Sequence, residues 1–345
     1  MVRAIYISFL VLLLCACGSK VVIEPQEGRT IAGQDVRVEE ISFRSGKFKV
    51  VGDLLIPVEG EPHPAVIMVH GSGDATRAGR VPFIPLIEIF LRNGFAVFAW
   101  DKPGSGESTG EFSDEITQRA DILVDGINVL AEHPSIDPDR IGLWGISQAG
   151  WVMPLAIEAS EQVAFMIVVS GGAEDSIEQM AYQVGQQVAC AGGSAEQASL
   201  VEQYWSQRAK ATSYDKYRQA VEVLLDVPGV KGFTGLEVTE EKDWKPWSRD
   251  WDAFIDPMEI IEHTTIPMLV FFGELDKNID PVQGAQAYET ALQTAGNQDY
   301  QIEVIPGVEH VLMPAKTGCI GESTSREYAP EYLETMEIWL QNLSQ

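Results

Sequence analysis

Six largely apolar runs constrain this chain more than any other feature: Ala65 to Val69, Phe95 to Trp100, Arg140 to Trp144, Val163 to Val169, Met268 to Phe272 and Tyr300 to Ile305. Strands that lack polar alternation are buried on both faces, and most of these runs are separated by helical segments such as Pro85 to Arg92 and Asp114 to Ala131. Helices that link such strands imply a parallel sheet with right-handed crossovers. The predicted class is α/β, a doubly wound, mostly parallel sheet. From Val36 to Pro57 the pattern instead alternates and is β-branched, which predicts an opening antiparallel hairpin. A final helix, Arg326 to Leu343, carries Tyr332, Met336, Trp339 and Leu340 at helical spacing and should pack back on the sheet.

Between Ser170 and Ile266 the alternation stops for about ninety residues, roughly three times the length of one crossover. Ser176 to Ala191, Ser194 to Lys210 and Ser213 to Asp226 have helical patterns, the second opening with Ser194 and Gln197 as a capping box. A Gly-, Pro- and Trp-rich stretch, Val227 to Pro257, follows. We divide the chain into an α/β core, 36–172 and 263–345, and a helical cap, 173–262, inserted over the sheet's carboxyl edge, where open α/β sheets bind ligands.

The first residues are of another kind. Arg3 precedes the apolar run Ala4 to Ala16, too short to span a bilayer and suited to the h-region of a signal peptide. Residues 1–16 therefore predict export. Leu14-Cys15-Ala16-Cys17 resembles the lipobox of bacterial lipoproteins, with Cys15 as a departure at the second-last position. The resemblance implies cleavage before Cys17, lipidation of that cysteine and a membrane anchor at the bacterial cell envelope; a secretory signal cleaved near Gly18 is the alternative. Residues 17–35 are polar and aperiodic and read as a tether. After such processing Cys15 is removed and Cys17 carries the lipid, so only Cys190 and Cys319 of the four cysteines keep unmodified thiols. An oxidising compartment permits them to pair, and two buried free thiols fit the sequence nearly as well.

With 51 acidic against 24 basic residues the formal net charge is -27, which repels a phosphate backbone and argues against nucleic acid as a partner. No H-E-x-x-H, clustered Cys/His pair or Walker lysine occurs, so neither metal nor nucleotide cofactor is predicted. The glycines from Gly104 to Gly110 do not make a dinucleotide loop, because the third is displaced and no acidic partner stands at the right distance.

Chemistry is concentrated at Gly145-Ile146-Ser147-Gln148-Ala149-Gly150, directly after the third apolar run. This nearly matches the G-x-S-x-G nucleophile elbow, in which a serine at a sharp strand-to-helix turn needs small neighbours. Alanine at 149 still meets that steric demand. A serine needs a base and an orienting carboxylate, which in this topology follow in the order Ser, Asp, His after later strands. Asp276 lies in the loop after Met268 to Phe272, and His310 after the strand ending at Ile305. Of the five histidines, His63 and His133 sit beside prolines, His263 closes the cap and His70 precedes the serine, which leaves His310 at the required address. Glu274 and Asp280 share the acidic loop; Asp276 is preferred on loop position. Backbone N–H groups of Gln148, at the start of the following helix, and Ser72, in His70-Gly71-Ser72-Gly73, are the candidate oxyanion donors. In the cap, Trp244, Trp247 and Trp251 fall in a polar, Pro-broken segment and are candidates for lining an apolar substrate pocket.

Taken together, "VHGSGDATR", "DKPGSGESTG", "IDPDRIGLWGISQAG" and "FGELDKNIDP" resemble the motifs of the α/β-hydrolases over about Val36 to Leu343. The pattern is similar to bacterial serine hydrolases of the esterase type, with relatives among acyl-CoA thioester hydrolases and prolyl-oligopeptidase-like peptidases. The resemblance implies that Asp101, Gly104 and Gly106 hold a structural turn near the site. It also implies a serine hydrolase that cleaves small-molecule carboxylic esters through Ser147, His310 and Asp276 and an acyl-enzyme. The alternatives are a peptidase or thioesterase of the same fold, or an anchored binding protein without turnover. No propeller-like β-domain precedes the catalytic region to filter peptides, and acyl-CoA esters do not fit an exported protein.

Overall fold

In the computed structural model, which describes residues 26–31, 33–79, 81, 83–234, 236–247 and 252–343, the apolar runs become neighbours in one sheet. Its strands are β1 (Gln26–Ile31), β2 (Gln34–Ser45), β3 (Phe48–Pro57), β4 (His63–Val69), β5 (Ala96–Trp100), β6 (Ile136–Ile146), β7 (Val163–Val169), β8 (Met268–Gly273) and β9 (Tyr300–Ile305). They form a nine-stranded sheet in the order β1-β2-β3-β5-β4-β6-β7-β8-β9. β1, β2 and β3 are antiparallel and β3 joins β5 antiparallel, while every pair from β5 through β4, β6, β7 and β8 to β9 is parallel. All residues of β4, β5 and β8 are buried, in keeping with their apolar runs, and His63 at the head of β4 is buried with them.

The signal segment and Cys17 lie outside the described residues, as does Trp251. Part of the tether departs from expectation: Gln26–Ile31 pairs antiparallel with β2 as an edge strand. An edge strand needs no apolar alternation, so a polar sequence carries little sign of it.

The helices are α1 (Ile84–Arg92), α2 (Ile116–Ala131), α3 (Ala149–Ala159), α4 (Ser176–Cys190), α5 (Ala195–Ala209), α6 (Tyr214–Leu225), α7 (Val230–Thr234), α8 (Met258–Ile261), α9 (Pro281–Thr294) and α10 (Pro330–Leu343). Two apolar layers flank the sheet. α2, α3, α8 and α9 contribute Leu123, Met153, Ile261 and Leu292 to one, and α1 and α10 contribute Phe90 and Tyr332 to the other. Trp144 Nε1 donates to Tyr332 Oη at 2.9 Å, which ties α10 to the central strand β6. Helices on both faces of a mostly parallel sheet are the doubly wound α/β arrangement.

The helices α4 to α7 hold an apolar core of their own, including Val184, Val201, Trp205, Val221 and Leu224. The capping box at α5 forms: Gln197 N–H donates to Ser194 Oγ at 3.2 Å and Ser194 N–H to Gln197 Oε1 at 2.9 Å. Cys190, at the end of α4, is disulfide-bonded to Cys319, in the segment between β9 and α10, with a Cα–Cα distance of 5.7 Å. Among the described residues no helix is long and apolar enough to cross a membrane.

Candidate active site

Ser147 stands between the end of β6 and the start of α3 with φ of 59°, in the left-handed region that L-residues avoid. Its N–H donates to Val169 O of β7 at 2.9 Å, and Gly150 N–H donates to Ser147 O at 2.9 Å. Crowding holds the turn. A Cβ on Gly145 would lie 2.5 Å from Ala149 Cβ, and one on Gly150 would lie 2.3 Å from Gly172 N. Ala149 therefore fits where many elbows have glycine, because Gly145 facing it carries no Cβ.

The three acidic residues after β8 part ways. Glu274 Oε2 accepts from Gly307 N–H at 2.8 Å, and Asp280 Oδ1 caps α9 by accepting from Val282 and Gln283 N–H at 2.9 and 3.1 Å. Asp276, 1% exposed, meets the histidine: its Oδ2 is 2.8 Å from His310 Nδ1. The other carboxylate oxygen accepts from Asn278 and Ile279 N–H at 2.7 and 3.0 Å, which fixes its plane. Burial pushes the His310 imidazolium pKa down, but the charge and hydrogen bond of Asp276 outweigh it and leave the pKa above the ordinary histidine value. With Nδ1 taken by Asp276, Nε2 is the nitrogen left for a reacting group.

His70 plays no such part. It stacks on Phe83 with centroids 5.2 Å apart and its Nε2 lies 2.8 Å from Trp100 O. Burial, with the charges of Lys102 and Arg119, pushes its pKa down to about 4, so the ring is neutral at physiological pH and donates to that carbonyl.

Ser147 and His310 open onto one cavity of about 460 Å³, shared by His70, Gly71, Ser72 and Gln148. Ser147 Oγ makes no hydrogen bond to His310 among the described residues, and such bonds commonly tighten only when substrate binds. Gln148 is the N-cap of α3, and its N–H has no acceptor among the described residues. Val81, Phe83, Ile116, Trp151 and Val311 give the cavity apolar walls, and Ser176, Gln179 and Gln183 of α4 with Asn278 give it a neutral polar rim.

Trp244 and Trp247 do not line this cavity, contrary to the sequence expectation. Trp244 packs on Tyr214 and Tyr217, with centroids 6.1 and 5.7 Å away, and Trp247 lies over the Arg208 guanidinium at 5.6 Å. A polar segment can still pack its aromatics inward when tyrosine and arginine faces await them.

Three residues under the site escaped the sequence reading. Lys102 Nζ donates to Gly71 O and Gly73 O at 2.7 Å each and to Asp114 Oδ1 at 3.0 Å. Asp114 Oδ2 accepts from Gly73 N–H at 2.7 Å. Arg119 donates to His70 O and to Gln148 Oε1, and Gln148 Nε2 donates to Asp114 O at 3.0 Å. A signal existed: Arg119 is a cation on the apolar face of α2, between the buried Ile116 and Leu123. The turn at Asp101 also forms, since Glu107 N–H donates to Asp101 Oδ2 at 2.9 Å and a Cβ on Gly106 would fall 2.3 Å from that oxygen.

The sequence profile of the X-Pro dipeptidyl-peptidase family, S15, matches residues 46–311, a span that holds Ser147, Asp276 and His310. The chain belongs to that family. Among similar proteins, this S15 member is 36% identical over 89 residues to thiohydrolase aneE of Aspergillus aculeatus, a match covering 25% of this chain and 27% of the relative. It is 26% identical over 252 residues, 71% of this chain and 76% of the relative, to the uncharacterised peptidase YtmA of Bacillus subtilis. Among solved structures it resembles the Pyrococcus furiosus esterase Pf2001 with a TM-score of 0.57 at 15% identity, covering 91% of this chain and 95% of that one. Acetyl xylan esterase 1 of a Thermoanaerobacterium species gives 0.54 at 14% identity, covering 95% and 89%. The S15 member is thus a hydrolase of the α/β-hydrolase fold.

Proposed function

We propose that this S15 hydrolase is a serine esterase acting on small neutral carboxylic esters, anchored at the bacterial cell envelope through Cys17. One observation carries the enzymatic reading: His310 Nδ1 stands 2.8 Å from Asp276 Oδ2 while His310 shares a cavity with Ser147, held at the elbow with φ of 59°. Ser147 Oγ attacks the ester carbonyl and passes its proton to His310 Nε2; Asp276 orients the imidazole and stabilises the imidazolium. The oxyanion develops towards the N–H groups of Gln148 and Ser72. Collapse breaks the C–O bond, His310 returns the proton to the leaving alcohol, and a water activated by the same base hydrolyses the acyl-serine.

Ester is preferred over peptide on the lining. Asp114 is the only carboxylate facing the cavity among the described residues, and its oxygens are engaged by Gly73 and Lys102. An enzyme that releases dipeptides needs a group to pair with the substrate's free amine, and these walls offer neutral amides and apolar side chains. The esterase names among the structural relatives agree with this reading, whereas the family name and YtmA favour peptide and aneE favours thioester. The volume suits a short acyl group and a modest alcohol. Support for export comes from residues 1–16 and from the Cys190–Cys319 disulfide, a bond at home in oxidising compartments.

The test is fluorophosphonate labelling with mass-spectrometric location of the adduct, followed by a panel of esters, thioesters and X-Pro arylamides. An adduct on Ser147, with kcat lower by about 10³-fold or more in Ser147→Ala, is expected because triad members act as a unit. Faster turnover of X-Pro arylamides than of any ester would replace esterase by peptidase; no adduct and no turnover would leave an anchored binding protein. For the anchor, Cys17→Ser should move the protein from the membrane to the soluble fraction, and unchanged sedimentation would remove that part of the proposal.

A further inference from the structure

Each carbonyl flanking Ser72 in the loop after β4 is held from below by a buried cation. His70 O accepts from Arg119, and Gly71 O and Gly73 O from Lys102. Arg119 is 6% and Lys102 3% exposed, and neither reaches the cavity wall. In a planar trans peptide the carbonyl and the following N–H point in opposite directions. Fixing Gly71 O on Lys102 beneath the loop therefore turns Ser72 N–H the other way, towards the side on which Gly71 and Ser72 line the cavity. The same guanidinium that holds His70 O also holds the side chain of Gln148, whose second arm is pinned to Asp114 O.

We propose that Arg119, seconded by Lys102, is a positioning residue for the oxyanion hole, setting the distance and direction between the Ser72 and Gln148 N–H donors by clamping the loop and the elbow together. The proposal rests on the esterase reading. Lys102 pairs with Asp114, and the guanidinium of Arg119 adds a fixed positive charge under the place where negative charge develops, where a fixed field costs no reorganisation. Burial pushes the Arg119 pKa down to about 10 against the opposing pull of Asp114, which still leaves the guanidinium charged at neutral pH.

The experiment compares Arg119→Met, Arg119→Lys and Gln148→Met with the unaltered protein on a p-nitrophenyl ester. It also measures binding of a trifluoromethyl ketone, whose tetrahedral adduct places an oxyanion in the hole, and of the matching methyl ketone, which forms no such adduct. Arg119→Met is expected to lower kcat by about 10²-fold, the scale of one lost oxyanion donor, with KM within about threefold. Affinity for the trifluoromethyl ketone should fall by the same factor and that for the methyl ketone should hold. Arg119→Lys, able to reach one partner of the two, should recover part of the loss. Wild-type kcat in folded Arg119→Met, or equal weakening of both ketones, overturns the proposal. Should Arg119→Met not fold, Gln148→Met, which cuts the clamp at its surface end, decides: a kcat drop of about tenfold supports it and an unchanged kcat overturns it. An unaltered protein inert to all esters and to fluorophosphonate overturns the esterase reading and this inference together, whereas active wild type with unaffected variants overturns this inference alone.

Discussion

In the proposed mechanism, Asp276 sets the pH at which His310 can act. The base must be neutral to accept the Ser147 proton, and Asp276 holds the imidazolium pKa above the ordinary value of about 6.5 although burial opposes it. Activity therefore falls as pH drops through that raised value. Asp276→Asn removes the carboxylate and leaves the burial, so the acid limb of kcat/KM should move to lower pH while kcat falls; an acid limb that stays in place would separate the pair from catalysis. The candidate Ser147, Asp276 and His310 were legible because chain order and strand ends fix their addresses in this topology. Choosing Asp276 over Glu274 and Asp280 depended on loop position, and the structure separates them by what each accepts from: a histidine, the Gly307 N–H and the start of a helix. Trp244 and Trp247 were misread because their partners, Tyr214, Tyr217 and Arg208, are distant in sequence and nothing in a polar segment announces them. Arg119 and Lys102 were passed over because their acceptors are main-chain carbonyls, which leave no mark on side-chain patterns.

The elbow shows how one element trades glycines. With alanine at 149, all the clearance between the end of β6 and the first turn of α3 comes from position 145. Gly145→Ala should destabilise by about 1–3 kcal/mol, as overpacking of a tight core does. Because the added methyl meets Ala149 Cβ at 2.5 Å, Gly145→Ala with Ala149→Gly should recover part of that loss. Thermal unfolding of the single and double variants measures it; a double variant no more stable than the single one would place the conflict at Met153, whose Sδ is 2.7 Å from the same point. Elements buried on both faces were the readable ones, since burial writes itself as an apolar run. β1, a polar strand at the sheet's edge, and the start of α10, at Pro330 instead of Arg326, were not.

At the scale of the whole molecule, the α/β class followed from strand and helix alternation, and the helices α4 to α7 from its interruption. The pairing of Cys190 with Cys319 could not be read from spacing, which says nothing of distance. The bond is a cross-link between the end of α4 and the segment that follows the His310 loop. Ser147 lies on the N-terminal side of the helical segment, and Asp276 and His310 on its C-terminal side, so the candidate catalytic set is split by that segment.

That cross-link closes a covalent circle from Cys190 to Cys319, and the backbone at 237–243, exposed throughout, lies on its arc. Trypsin cleavage after Lys242 yields two polypeptides, one carrying Ser147 and the other Asp276 and His310, still joined by sulfur. The β7–β8 pairing and the packing of Trp244 on Tyr217 bridge the cut as well. The nicked protein should run as one species without reductant and two with it, and should keep the proposed esterase activity. Loss of activity on cleavage alone would mean that an unbroken main chain at this exposed turn is itself a part of the machine.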